Sequence, residues 1–118
     1  MGNKLSWKAV LAYLLAAFFL VGGIGNIFVS EQIAADYARW GYPDGFHYLT
    51  GILELAAAIL LVFSVPLRLW GAALGAVVMV AALATLLLHG EYAHAVAPLA
   101  VLSVSVAVGW FNKPGSQP

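Results

Sequence analysis

The sequence predicts an all-α fold: a bundle of four transmembrane helices, with a short amphipathic helix in the membrane interface between the first and second spans. Apolar residues make up 64% of the 118 residues and charged residues only 8%, whereas soluble domains carry about 25% charged residues. Four apolar segments approach the ~20 residues that a helix needs to cross a bilayer. We therefore expect a single integral membrane domain covering residues 1–118.

The predicted spans follow the apolar segments in order. They cover about 7–29, 46–63, 67–88 and 93–111, and a polar tail follows at 112–118. Pro66 separates the second and third spans, because proline disfavours helix at the preceding residue and fits the first turn of the next helix. Gly90 is expected to end the third span. The first apolar run is longer than the usual core of a signal peptide, so we interpret it as a retained span.

The distribution of cations predicts the orientation. Four of the five Lys and Arg residues fall on one side of the predicted bundle: Lys4, Lys8, Arg68 and Lys113. Arg39 alone falls on the other side. The positive-inside rule then places both termini in the cytoplasm, and we expect the inner membrane of a bacterium. The loop from Ser30 to Gly45 is therefore predicted to lie outside.

This outer loop contains an amphipathic pattern. Ile33, Tyr37 and Trp40 share one helical face within "SEQIAADYARWG". Ser30 is suited to cap the start of a helix and Gly41 to follow its end. Such a helix lies in the plane of the interface. Two interpretations stay open: a surface connector, or a lid over whatever lies beneath it.

One acidic residue interrupts the second span. Glu54 shares its helical face with small and polar residues, namely His47, Thr50, Gly51, Ala57 and Ala58. Small residues allow membrane helices to approach closely, so we expect Glu54 to face protein rather than lipid. The third span repeats the pattern, with Gly71, Gly75, Thr85 and His89 on one face.

The polar residues of the spans gather in the predicted outer half of the bundle. We expect a ligand-binding pocket there, formed by Asn26, His47, Glu54, Thr85 and His89, because ionisable residues within a membrane generally mark functional sites. The alternative is a structural strut in which Glu54 and His89 pair. The three histidines lack HxxxH or HExxH spacing and the chain has no cysteine, so we predict no metal. We predict no resident cofactor, with a quinone or lipid as the candidate ligand.

The stretches "GYPDGFHYLTGILELAAAILLV" and "LATLLLHG" resemble the DoxX-like family of small four-helix membrane proteins. The family pattern has a glycine in the first span, a GYP-type loop, a GxxE opening of the second span and a His closing the third. The corresponding residues here are Gly22 or Gly23, Gly41 to Pro43, Gly51, Glu54 and His89. The resemblance covers about residue 14 to the fourth span.

One position departs from the pattern. Many relatives carry a lysine in the first span, where this chain has Asn26. The family name derives from a resemblance to a subunit of a thiosulfate:quinone oxidoreductase. The resemblance also implies association with oxidative-stress enzymes or assistance to receptor assembly. It does not imply a redox enzyme for a chain without cysteine or cofactor motifs.

These observations leave three functional hypotheses. The first is binding of a hydrophobic small molecule with a polar head, such as a quinone or a lipid. The second is an accessory subunit or assembly factor of a larger membrane complex. The third is a small-solute or proton transporter, although the cation bias disfavours the dual topology common among short carriers. Whether the protein is an enzyme and how it oligomerises stay open. The zero net charge gives no basic surface for nucleic acid.

Overall fold

The computed structural model describes residues 6–114. In this part of the chain the secondary structure is helical: α1 (Trp7–Ile27), α2 (Glu31–Arg39), α3 (Phe46–Phe63), a 3-10 turn (Val65–Leu67), α4 (Arg68–Leu88) and α5 (Val96–Phe111). The all-α prediction is therefore confirmed for these residues. Lys4, used above for orientation, and residues 115–118 of the predicted tail lie outside the described residues.

Local sequence signals set the helix ends. The Ser6 and Ser30 hydroxyls accept hydrogen bonds from the backbone amides of Ala9 (3.1 Å) and Ile33 (3.2 Å), so each serine caps a helix as predicted for Ser30. Gly41 and Gly90 adopt positive φ angles of 84° and 70° just beyond α2 and α4. Glycine adopts this conformation without the steric penalty of a Cβ atom.

Three helical stretches are long and apolar enough to cross a membrane within the described residues: Trp7–Ile27, Phe46–Phe63 and Val65–Leu88. The helix Val96–Phe111 is apolar but has only 16 residues. It begins at Val96 rather than near residue 93. This start places Pro98 in the first turn, where proline breaks no helical hydrogen bond. The start predicted near residue 93 would have moved Pro98 further into the helix.

Glycines bring the helices together. The helices α1 and α3 approach closely at Gly23 and Gly51, where a Cβ on Gly51 would lie 2.9 Å from the Gly23 carbonyl oxygen. Gly71 of α4 lies against the α3 backbone near Ala57, and Gly75 lies against the ring of Phe19. Both α4 glycines therefore pack against protein, as small residues do between membrane helices. Between them the helices bury an apolar core of mostly small and aliphatic side chains: Ala12, Leu15, Ala16, Phe19, Ala57, Ala58, Leu61, Ala72, Val78, Met79 and Val108.

The bundle has two distinct ends. The start of α1 meets the end of α5, where the rings of Trp7 and Phe111 lie 4.7 Å apart; we call this the terminal end. At the opposite end, α2 lies above the start of α3 and contacts Glu91 between α4 and α5; we call this the loop end. The candidate site lies in the half of the bundle nearer the loop end.

Candidate functional site

Glu54 is the acidic residue buried within the spans, with only 4% of its surface exposed. The prediction that it faces protein is confirmed. Ile52 and Ile59 of the same helix are 58% and 60% exposed and form its lipid-facing side. The carboxylate has space because the neighbouring position on α1 is Gly22, where a Cβ would lie 2.8 Å from Oε2 of Glu54. A buried carboxylate requires hydrogen-bond donors, and α1 supplies one.

The donor is Asn26. Its side-chain Nδ2 donates to Glu54 Oε1 (2.7 Å) and to the Gly22 carbonyl oxygen one turn earlier (3.0 Å). The Oδ1 of the same amide accepts a hydrogen bond from the hydroxyl of Tyr37 at 2.7 Å. Asn26 therefore joins a buried carboxylate on α3 to a phenol on α2. No sequence signal singled out Tyr37 for this contact, since its spacing indicated only an amphipathic face.

His47, at the start of α3, also forms a hydrogen bond with Asn26. Its Nδ1 lies 2.6 Å from the backbone carbonyl oxygen of Asn26. A carbonyl oxygen can only accept a hydrogen bond, so Nδ1 carries the hydrogen. Three residues predicted for the site are thus brought together: Glu54 bonds to the side chain of Asn26 and His47 to its backbone carbonyl.

Thr85 and His89 are placed differently. The Thr85 hydroxyl donates to the Ala81 carbonyl oxygen (2.8 Å), so the short contact between Tyr42 and Thr85 has the Tyr42 hydroxyl as donor. His89 is the C-cap of α4 and is exposed, and its Nδ1 lies 2.8 Å from the Thr85 carbonyl oxygen. Within residues 6–114, Glu54 is hydrogen-bonded to Asn26 and not to His89. The predicted pair of Glu54 with His89 is therefore not formed.

A cavity of about 170 Å³ lies between α2, α3 and α4. Its lining is aromatic and aliphatic, with hydroxyl groups as the polar elements: Tyr37, Trp40, Tyr42, Phe46, Leu49, Thr50, Leu53, Val77, Val78, Ala81, Ala82, Thr85 and Leu86. The lining residues Leu49 and Val77 are 49% and 65% exposed, so the cavity opens between α3 and α4 on the lipid-facing surface. Tyr37 belongs both to this lining and to the hydrogen-bond network of Glu54.

Aromatic rings close the cavity toward the loop end. Tyr42 and Phe46 stack with ring centroids 4.4 Å apart and planes 10° from parallel. Tyr37 meets the edge of Trp40 at 5.6 Å. Burial raises the pKa of Tyr37 above its ordinary value of 10.0. The phenol is therefore protonated at neutral pH and acts as the donor to Asn26.

The helix α2 is held in place by Glu91. Arg39 donates from Nη2 to Glu91 Oε1 (2.8 Å) and from Nε to Oε2 (3.2 Å), and the indole of Trp40 donates to Oε2 at 2.9 Å. These donors, of which Arg39 has the largest effect, lower the pKa of Glu91 from 4.5 to about 2. Glu91 was not predicted for the site. Arg39 is the one cation predicted on that side of the bundle, and Glu91 has the opposite charge. This charge complementarity was the sequence signal from which the pair could have been predicted.

A protein-family model for the DoxX-like family matches residues 10–108. The chain belongs to the DoxX-like family. Neither the curated proteins nor the solved structures searched gave a match. Family membership and the apolar helices make it a small membrane protein. In this DoxX-like protein the GYP loop holds Tyr42 against Thr85, and the GxxE opening of α3 sets Gly51 against α1 and Glu54 against Asn26.

Proposed function

We propose that this DoxX-like protein binds a hydrophobic small molecule with a polar head, quinone-like or lipid-like, in the cavity beneath α2. One observation carries the proposal: Tyr37 lines the cavity and also heads the hydrogen-bond chain through Asn26 to the buried Glu54. Insertion scales put the cost of a charged side chain at the centre of a bilayer at roughly 2.5–3.5 kcal/mol. A buried carboxylate is therefore expected to have a function that offsets this cost. Recognition of a head group is such a role.

The dimensions of the cavity support a ligand of this kind. An apolar cavity of about 150 Å³ accommodates one benzene molecule, so 170 Å³ suits a single ring or a head group of similar size. The opening between Leu49 and Val77 leads toward the hydrocarbon of the bilayer. An acyl or isoprenoid tail would therefore leave the cavity directly into lipid, without crossing the interface.

The helix α2 would act as the lid in this proposal. Tyr37 and Trp40 form the cavity wall that α2 contributes. The hydrogen bonds from Arg39 and Trp40 to Glu91 hold that wall against the α4–α5 connection. This arrangement favours the lid interpretation over a passive surface connector, because the side chains that close the cavity are next to those that anchor the helix.

Matched variants test the proposal. The wild-type protein is purified in a mild detergent, and co-purifying small molecules are identified and quantified by mass spectrometry. Tyr37→Phe removes one hydroxyl from the cavity wall, whereas Tyr48→Phe makes the same change at a residue that is 51% exposed. Loss of one hydrogen bond of about 0.5–1.5 kcal/mol corresponds to roughly two- to tenfold weaker retention. We expect this loss for Tyr37→Phe but not for Tyr48→Phe.

Other results would contradict the proposal. Equal amounts of the molecule in Tyr37→Phe and Tyr48→Phe would exclude a role for the Tyr37 hydroxyl. A second contrary result is that no small molecule accompanies the wild type, while a partner protein co-purifies and its binding depends on the lipid-facing residues Ile59 or Phe63. The DoxX-like protein would then be an accessory subunit of a larger complex. These two side chains are 60% and 75% exposed on the side of α3 away from Glu54.

We also propose that α5 is a fourth span and that both termini are cytoplasmic in a bacterial inner membrane. Its 16 residues extend about 24 Å at ~1.5 Å per residue. At the terminal end lie Lys8, Arg68 and Lys113, and at the loop end lies Arg39, as the positive-inside rule requires for this orientation. Because the chain has no cysteine, single-cysteine variants at exposed Ala35 and Pro114 can be labelled with a membrane-impermeant maleimide. Labelling of intact spheroplasts at Ala35→Cys alone is expected, and labelling at Pro114→Cys would contradict it.

A further inference from the structure

Arg68 is a buried cation at the terminal end. It is the first residue of α4 and is only 9% exposed. Its Nε is fully buried and has no hydrogen-bond partner among the described residues. The guanidinium lies 5.5 Å from the centroid of the Tyr13 ring of α1. An aromatic ring attracts a cation but accepts no ordinary hydrogen bond in the guanidinium plane, so Tyr13 does not satisfy the buried Nε of Arg68.

The chain itself offers no carboxylate side chain to Arg68. The sequence has five acidic residues, and all of them are described: Glu31, Asp36, Asp44, Glu54 and Glu91. Four of these lie in α2 or in the connections at the loop end. Glu54, the fifth, lies about nine residues before the end of α3, or roughly 14 Å along the helix axis, and is already bound to Asn26. Since buried charges in proteins are generally paired, Arg68 is expected to bind an anion other than these five side chains.

We propose that Arg68 binds the phosphate group of an anionic phospholipid. Arg68 lies near the end of a candidate span, where lipid head groups are found. Its neighbours Val65 and Trp70 are 59% and 63% exposed and form an apolar and aromatic surface for the acyl chain of the lipid. The planar guanidinium matches a phosphate better than the point charge of lysine does. Lys8 and Lys113 at the same end add to the attraction for an anionic leaflet. This site is at the opposite end from the cavity and does not depend on the proposed function.

Lipid titration tests the proposal. Delipidated protein in neutral detergent is titrated with phosphatidylglycerol, and bound lipid is counted by native mass spectrometry. Arg68→Gln is expected to weaken the tightest site roughly five- to tenfold, since one cation near an anionic lipid contributes about that factor. Lys113→Gln removes the same charge from the same end, but from a side chain stacked on Trp110 rather than buried. We expect it to leave the first bound lipid in place and to change only weaker binding that is screened by salt.

Several results would overturn the proposal. Equal losses in Arg68→Gln and Lys113→Gln would show general surface attraction instead of a site. Displacement of the lipid by millimolar inorganic phosphate would identify free phosphate as the ligand. A measurement on the unmutated protein covers the case in which Arg68→Gln does not fold: phosphatidylglycerol should raise the thermal midpoint in detergent more than phosphatidylcholine or inorganic phosphate does. Equal midpoints with all three additives would refute a specific site.

Discussion

Replacing Asn26 by alanine removes the centre of the proposed site without changing a charge. The Asn26 side chain bonds to three groups: Glu54 Oε1, the Tyr37 hydroxyl and the Gly22 carbonyl oxygen. The carbonyl of Gly22 lies inside α1 and is suited to keep a helical hydrogen bond. In Asn26→Ala, Glu54 and Tyr37 therefore lose the partner on which their burial depends.

The expected cost follows from the burial of these two groups. A buried polar group left without its partner costs about 1–3 kcal/mol, while side-chain hydrogen bonds within membrane bundles average about 0.6 kcal/mol and reach about 1.7. Glu54 is almost fully buried and Tyr37 only partly so. We therefore assign the lost hydrogen bond of Glu54 the upper membrane value and that of Tyr37 the average value. The sum is a loss of roughly 2 kcal/mol in the free energy of unfolding.

The assay is reversible unfolding in mixed micelles, followed by circular dichroism as the fraction of denaturing detergent is increased. Gln32→Ala is the matched control, because it removes an amide that bonds to Asp36 on the exposed face of α2. Such surface changes usually stay within about 0.5 kcal/mol. The combination of Asn26→Ala with Glu54→Ala should cost less than the two single changes added together, by about 1 kcal/mol. Strict additivity, or equal costs for Asn26→Ala and Gln32→Ala, would refute the network.

Three further predictions use the same preparation. Gly75→Ala should destabilise the bundle by about 1–3 kcal/mol because its Cβ would meet Phe19, whereas Gly25→Ala, with open space around its Cβ, should be neutral or stabilising in thermal unfolding. Because the pKa of Glu91 falls from 4.5 to about 2 on folding, its contact with α2 is complete above pH 4.5 and is lost as the pH falls toward 2. The protection of α2 amides, meaning their exchange rate relative to the intrinsic rate at each pH, should fall over that interval, and Glu91→Gln should remove this fall in protection. The Asn26→Lys variant should fold with an intact bundle, as judged by gel filtration. It should nevertheless lose the co-purifying ligand, because lysine has no acceptor for the Tyr37 hydroxyl. An undiminished amount of ligand would contradict the role of the contact between Tyr37 and Asn26.

The helices and their buried faces were predictable from the sequence. Apolar runs of span length, serines before helices and glycines after them depend on local chemistry, and the structure reproduces them closely. The helical wheel also placed Glu54 toward protein, because the small residues Gly51, Ala57 and Ala58 share its side. Its exposure of 4% confirms that inference.

The partner of Glu54 was not predictable in the same way. His89 shares the wheel position of Gly71, so the pattern suggested that it faces the bundle. However, α4 ends at Leu88, and beyond the last helical residue the wheel no longer describes direction. The imidazole instead turns back to the carbonyl oxygen of Thr85. Asn26 reaches Glu54 because Gly23 and Gly51 bring α1 and α3 together, a tertiary contact that no single-helix pattern contains.

The direction of hydrogen bonding restricts which head group fits the proposed ligand site. Asn26 must direct its Nδ2 toward the Gly22 carbonyl oxygen and Glu54, because a backbone carbonyl can only accept. Its Oδ1 is therefore left to accept from Tyr37, and the single hydroxyl hydrogen of Tyr37 is committed to Asn26. The Tyr37 oxygen can then only accept a hydrogen bond, either from the neighbouring Thr50 hydroxyl or from a ligand. A head group with a hydroxyl donor, such as a hydroquinone or an alcohol, satisfies that oxygen, whereas a quinone carbonyl would meet a second acceptor. The proposed ligand is therefore expected to bind more tightly in its hydroxyl form.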